Sequence, residues 1–448
     1  MLATFRRGLR LRRPPVDEGS CCWLEGLARA SVRRVQGSST AHTVVVGAGF
    51  TGLAAARRMA ELRPASRIVL VDARRAGDGA SGRSSGFLVD LASFIAAMPR
   101  RHADRFIRLS RAGIAELRRC VHEHRIACDW DDRGTIHAAA GEAGMSSLTR
   151  LSDWLAARGE TFQRLSSETL ATITGSRFYR AGIRLPGSVI VQAGALVRGL
   201  ATNLPKNVEL LENSPVHAIG GGNESGEPGG MWRVFAGDGS IRTPRVILAL
   251  NGYSAGLGLL PCRVFPLLTF GSLTQALTAD QQARLGGERE WGILAQDPMG
   301  SSVRRTRDQR LLIRNTVHYQ PGFRAGSRWH RKAVRSHRLA LERRFPELAE
   351  LELAGTWSGV MGISPNAYPF FGRLAPNLVT TAGFTACGIA MGTISGRLLA
   401  DQLLAQQSDL LADRLSLPGP SWIPPEPFLS VGLPLVMARK NALAGAAL

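Results

Sequence analysis

The stretch from Thr43 to Asp72 constrains this chain more than any other. Thr43-Val44-Val45-Val46 is a β-branched run that predicts a buried parallel strand. Gly47-Ala48-Gly49-Phe50-Thr51-Gly52 follows at once, and Leu53 to Leu62 is a good helix former with an apolar face. After a turn at Pro64, Ile68-Val69-Leu70-Val71 predicts a second strand that ends on Asp72. Strand, G-x-G-x-x-G, helix, strand and acid in one unit form the dinucleotide-binding pattern, whereas the glycines alone are weak evidence. Gly47 suits the tight turn, Gly49 the close approach of a pyrophosphate, and Gly52 the packing of helix on strand. The helix N-terminus, with Phe50 and Thr51 in its first turn, offers N–H groups and a positive dipole end to phosphates. Asp72, followed by Ala73, is placed to accept hydrogen bonds from an adenosine ribose, and its charge disfavours a 2′-phosphate. Arg74 and Arg75 argue the opposite, but arginine is common throughout the chain.

Length and charge narrow the rest. A chain of 448 residues, 44% hydrophobic and 20% charged, holds two domains or one large domain with an insertion. No run of eighteen uncharged apolar residues occurs, so no membrane span is expected. The formal charge of +21 invites a nucleic-acid reading. Against it, the lysines are only Lys206, Lys332 and Lys440, and the arginines are spread along the chain without interleaved aromatics. Codon bias in a GC-rich genome gives the same composition, so a solvated basic surface is expected and no nucleic-acid partner. Cys21, Cys22, Cys120, Cys128, Cys262 and Cys387 form no C-x-x-C pair, which fits reduced thiols in a bacterial cytoplasm. The nine histidines are scattered, and no metal site is expected.

Residues 1–40 begin with five arginines (Arg6, Arg7, Arg10, Arg12, Arg13), as a presequence would, but Pro14-Pro15 interrupts them and no apolar stretch follows. A loosely ordered basic tail is expected, with Trp23-Leu24 packing on the body. Gly77 to Phe87 is rich in small and hydroxyl residues and suits either a loop against a flat ligand or a flexible surface loop. From Leu91 to Thr174 the pattern turns helical, with Phe106, Ile107, Leu109, Ile114, Leu117 and Val121 along one amphipathic face. Strands are predicted at Val208–Leu211, Pro215–Ile219 and Val246–Leu250. A hairpin turn is expected over Gly220–Gly230, and no second nucleotide unit follows it. Trp357 to Leu404 contains a second strand, glycine turn and helix, and the Pro-rich chain after Ser408 predicts irregular structure.

Four blocks together resemble the FAD-dependent D-amino-acid oxidase and glycine oxidase superfamily. They are Val44–Asp72, the loop Gly79-Ala80-Ser81-Gly82-Arg83-Ser84-Ser85-Gly86, Val246–Tyr253 and Trp357–Leu404. Within that superfamily the chain most resembles bacterial gamma-glutamylputrescine oxidoreductase-like proteins, over about residues 41 to 405. The resemblance implies an α/β fold: a Rossmann-like, glutathione-reductase-type FAD-binding domain with an interleaved α+β substrate domain. It divides the chain into a basic tail (1–40), an FAD-binding domain (41–90, 183–254 and 355–407), a substrate or cap domain (91–182 and 255–354) and a C-terminal tail (408–448). It implies non-covalent FAD, since the early loop has no His and Gly359 falls where one subgroup carries its attaching Cys. Gly47, Gly49 and Gly52 would hold the pyrophosphate, and Asp72 the ribose. Ser81, Gly82, Arg83, Ser84, Ser85 and Gly86 would line the flavin, and Val216 would meet the adenine. Asn251 and Gly252 would border the cofactor. Gly388, Ile389, Ala390, Met391, Gly392 and Thr393 would open a helix aimed at the flavin's pyrimidine carbonyl.

The implied chemistry is hydride transfer from a carbon bearing an amine, followed by imine hydrolysis, which needs no strong base if the amine arrives neutral. A carboxylate-bearing substrate calls for an arginine, and Arg304, Arg305 and Arg314 lie in the substrate segment, with His318 and Tyr319 near them. Ala386 and Cys387 stand where relatives often show Gly-His, which places Cys387 at the flavin or in the core. No lysine occurs between Lys206 and Lys332, so an oxygen-activating lysine is not expected, and the electron acceptor is oxygen, a quinone or a carrier. Two other readings remain open at this point: a 2-hydroxy-acid dehydrogenase on the same scaffold, and a flavin-binding or RNA-associated protein without catalysis.

Overall fold

The computed structural model describes residues 8–14, 20–27, 31–221 and 230–444. Its centre is a six-stranded sheet in the order 208–211, 68–71, 43–46, 246–248, 378–382 and 370–375. The first five strands are parallel, with Val45 opposite Leu70 on one side and Ile247 on the other; the last is antiparallel. Every residue of Thr43–Val46 and Ile68–Val71 is buried, as expected for parallel strands covered on both faces. Alternation then decides which neighbour each side chain meets. Val45, Ile68, Leu70, Ile247 and Val379 join a core with the helix Phe50–Leu62 and the end of the long helix Arg100–Glu123. Val44, Val46, Val69, Val71, Val246 and Leu248 pack the other way, against a five-stranded sheet containing Ile219, Trp232, Val234 and Ile241.

An eight-stranded sheet forms the second half, in the order 353–363, 265–274, 311–319, 302–305, 291–295, 135–139, 181–185 and 163–166. Helix Gly326–Arg344 packs on the strands 311–319, 353–363 and 265–274. The stretch expected to be helical from Leu91 to Thr174 therefore holds two strands of this sheet, Thr135–Ala139 and Gln163–Ser166, as well as helices Arg100–Glu123, Glu142–Ala156 and Ser167–Thr174. Helix Arg100–Glu123 packs on Ala390–Leu403, so this stretch contributes to both halves.

Both tails differ from expectation. Leu9–Arg10 pairs antiparallel with the strand Val216–Gly221, and Gln36–Thr40 pairs in parallel with Asp238–Thr243, so the N-terminal segment supplies both edges of the five-stranded sheet. Trp23 is buried and packs near Trp357. After Ser408 the chain forms two helices, Asp409–Ser416 and Phe428–Ala444. The glycine-rich turn lies partly outside the described residues, but the strands on either side of it, Val216–Gly221 and Trp232–Ala236, are antiparallel.

Candidate functional site

Between the two halves runs a cleft of about 800 Å³. At one end Gly47 takes φ +104°, and a Cβ there would lie 2.7 Å from the Ala249 carbonyl oxygen. A Cβ on Gly52 would lie 1.7 Å from the Gly47 oxygen, so only glycine lets the helix start this close to the strand. Gly47, Gly49, Phe50 and Thr51 line the cleft, while Gly52 sits behind them. Asp72 lines the cleft too, and its carboxylate accepts the backbone N–H groups of Ala48 at 2.6 Å and Arg74 at 2.9 Å. Burial pushes this carboxyl up to about 6, against the pull of those two donors. Asp72 therefore pins the glycine turn, and each of its oxygens keeps a lone pair for a further donor. Ala73 and Val216 complete this end.

The Gly79–Gly86 loop lies across the cleft wall. Ser81 accepts the Phe50 N–H through its Oγ at 3.3 Å. Ser81, Arg83, Ser84 and Ser85 face the cleft; Gly82 and Gly86 do not. A Cβ on Gly86, at φ +83°, would lie 1.9 Å from the Val191 oxygen. Two indoles hold the loop in place: Trp357 donates Nε1–H to the Arg83 carbonyl at 3.0 Å, and Trp23 donates to that of Ser84 at 2.8 Å. These bonds tie the backbone at both carbonyls, so the loop is anchored to the body of the protein. Asn251 and Gly252 also line the cleft, and Asn251 Oδ1 accepts the Gly383 N–H at 3.0 Å, joining the ends of two strands.

Of the later block, Gly388 and Ile389 border the cleft. Ala390, Met391, Gly392 and Thr393 do not; they form the first turn of the helix Ala390–Leu403 and are buried against the helices Phe50–Leu62 and Arg100–Glu123. Cys387 lines the cleft and also packs with Phe384 and Met391, and burial pushes its thiol up to about 12.

The substrate arginines separate. Arg304 is behind the wall: its guanidinium donates to the carbonyls of Ser85 (3.1 Å) and Val191 (2.6 Å) and lies over the Trp23 ring. Arg305 is likewise buried, bonded to Gln309 and the Gly286 carbonyl. Arg314 lines the cleft, held by a hydrogen bond to Ser302 Oγ at 3.1 Å. No acidic partner is found for it among the described residues, and burial alone lowers its pKa. Tyr319 and His318 are not in the cleft. Tyr319 packs with Phe265 and Ile423 and donates to Glu426, while His318 stacks on Trp329.

Several wall residues carry no sequence signal. His137 is buried, with Nδ1 2.8 Å from Gln296 Nε2, and Gln296 in turn bonds Ser93 Oγ. Burial lowers the His137 pKa to about 4, so the ring is neutral. A lone histidine in a Thr-Ile-His-Ala-Ala strand has nothing nearby in sequence to mark it. Lys440, placed by sequence in an irregular tail, also lines the cleft.

The cradle fits FAD. A turn closed to any Cβ, a helix start whose N-cap Gly49 has no side chain to block it, an acid beside it and a serine-rich loop all line one cavity, as a bound dinucleotide requires. Fold and cleft together define a flavin-dependent oxidoreductase architecture. The family model described as FAD dependent oxidoreductase matches residues 42–402, and the chain belongs to that family of FAD-binding flavoproteins. It is 27% identical to a probable oxidoreductase OrdL of Rhizobium meliloti, covering 85% of this chain and 87% of that one. It is 24% identical to the gamma-glutamylputrescine oxidoreductase of Escherichia coli, covering 86% and 88%. Among solved structures, glycine oxidase from Geobacillus kaustophilus superposes with a TM-score of 0.69 at 20% identity, over 83% of this chain and 96% of that one.

Proposed function

We propose that this protein oxidises the C–N bond of an amine or amino acid that carries a carboxylate, with FAD held non-covalently. The observation that carries this reading is Arg314, a cation in the cleft wall that has a serine for a neighbour and no acid among the described residues. A partly buried guanidinium without a counter-charge is costly, and a substrate carboxylate supplies the missing partner by a forked pair of charge-assisted bonds. The similarity to a gamma-glutamylputrescine oxidoreductase supports a nitrogen-bearing substrate.

When bound, FAD supplies a two-electron acceptor for hydride. The residues of this chain do the rest. Arg314, fixed by Ser302, orients the substrate through its carboxylate. Gly271 and Gly359 leave the wall beside it without side chains, giving room for the reacting carbon. Among the described residues no strong base stands ready beside Arg314, since burial lowers the His137 pKa to about 4, its Nδ1 is taken by Gln296, and Asp297 accepts the backbone N–H groups of Ala140 and Gly141. The substrate therefore enters as the neutral amine, and the imine product is hydrolysed by water to a carbonyl compound. The start of the helix at Ile389 places its positive end at the cleft, worth about 0.3–2 kcal/mol to negative charge developing there.

The test is an anaerobic absorbance titration of the yellow protein with amines, amino acids and 2-hydroxy acids, with product analysis. Bleaching by a carboxylated amine with release of a carbonyl product and ammonia or an amine supports the proposal. Bleaching only by hydroxy acids would replace it with C–O oxidation, and readmitted air shows whether oxygen accepts the electrons.

A further inference from the structure

We infer that the C-terminal helix Phe428–Ala444 docks the protein on the surface of an anionic phospholipid bilayer. The exposed large apolar side chains of the described residues concentrate here. Trp422 is 61% exposed, Phe428 67%, Val431 65%, Leu435 67% and Val436 52%. Phe428, Val431 and Leu435 are spaced i, i+3, i+7 and form one row along the helix. The helix is already seated by its other face: Leu429 and Leu433 pack on Phe265, Tyr319 and Ile423, and Met437 is buried. The outward row is thus not an unpacked core face but a second apolar face on an anchored element. From Phe428 to Ala438 there is no charged residue, and Arg439 and Lys440 follow directly.

That arrangement is what an interfacial helix needs: an aromatic and aliphatic stripe to enter the acyl boundary, with basic residues at its end to meet headgroups. The helix does not span, since no helix among the described residues is long and apolar enough to cross a membrane. Charge selects the occupant. The chain carries a formal +21, which attracts an anionic surface and opposes association with a second copy of itself. Docking also has a direction: the helix touches the strand Leu311–Tyr319, which bears Arg314, and Lys440 lines the cleft. The bound protein therefore holds its cleft at the headgroup level, within reach of lipid-dissolved molecules.

The experiment is flotation of the full-length, FAD-loaded protein with vesicles of phosphatidylcholine alone or mixed with phosphatidylglycerol, comparing wild type with Val431→Glu/Leu435→Glu. Two buried aliphatic contacts replaced by charges predict a loss of binding of at least about tenfold to the anionic vesicles, with flavin content and melting temperature unchanged. Full binding by the double variant that disappears with salt would overturn the inference, because the basic body alone would then explain it. Wild-type protein that binds neither vesicle also overturns it. If that protein runs as a dimer which Val431→Glu/Leu435→Glu dissociates, the row is a contact between copies.

Discussion

Arg314 and Arg304 show how one side chain's role depends on what lies over it. Their strands pair so that Ser302 faces Arg314 and Arg304 faces Leu312, which puts both arginines on the same face of the sheet, one pair apart. The position nearer the Ser84–Gly86 loop is covered by it and becomes a clamp on two carbonyls; the other opens on the cleft. Sequence supplied both arginines but not the path of the loop, so it had no means of choosing between them. Arg314→Met is expected to lower kcat/KM for the carboxylated substrate about 10- to 100-fold, the loss of a charge-assisted pair worth about 1.5–3 kcal/mol. An analogue lacking the carboxylate should be affected far less, which steady-state kinetics on the two substrates will show. Cys387 and His137 are the cysteine and histidine that line the cleft, yet the thiol is pushed to about 12 and the imidazole is buried. Acid precipitation should accordingly release all of the yellow colour into the supernatant. Colour that stays with the pellet would mean a covalent flavin.

At the level of elements, the contact between Phe50–Leu62 and Ala390–Leu403 fixes where both helices begin, and through them both ends of the cofactor cradle. A Cβ on Gly396 would lie 2.1 Å from the Thr51 carbonyl oxygen, which cannot move without shifting the first turn of the glycine-loop helix. A Cβ on Gly392 would meet the Thr51 hydroxyl at 2.8 Å, a side chain that can rotate away. Gly396→Ala should therefore destabilise by about 1–3 kcal/mol and weaken FAD binding, while Gly392→Ala costs less than half as much. Urea unfolding and flavin fluorescence on both variants test the difference. The two glycine-turn units were legible because each packs a strand, a turn and a helix into one short stretch with strong local signals. The strand Gln163–Ser166 and the two edge strands from the N-terminal segment were not. Gln163 to Ser166 has one buried residue, and Gln36 to Thr40 has none, so no alternation of apolar residues marks them. Their structure comes from a partner strand far away in sequence. The terminal helix Phe428–Ala444 escaped for a related reason, since Pro434 and an apolar composition on all sides erase the amphipathic pattern.

For the molecule as a whole, acid should act through the substrate half. His137, in the strand Thr135–Ala139, and His337, in the helix Gly326–Arg344, are both buried and neutral, with burial lowering their pKa values to about 4 and about 3. Their Nδ1 atoms are tied to Gln296 and to Ser272. In the unfolded chain each would titrate near 6.5, so below that pH the unfolded state binds a proton that the folded state refuses. The stability these groups permit is complete above about 6.5 and is lost as pH falls toward 4. Between pH 7 and pH 5 the loss is about 2 kcal/mol per histidine, from about 1.5 pH units at about 1.4 kcal/mol each. Asp72 has the opposite sign, because its raised pKa makes the folded state take its proton first between about 3.8 and about 6. It lies at the other end of the cleft and is common to all variants, so it cancels in a comparison. Urea unfolding of wild type, His137→Gln and His337→Gln at pH 7 and pH 5 should show a drop smaller by about 2 kcal/mol in each variant, whatever that substitution costs at pH 7. Equal drops in all three proteins would mean that these two rings are not the groups excluded from protonation by folding.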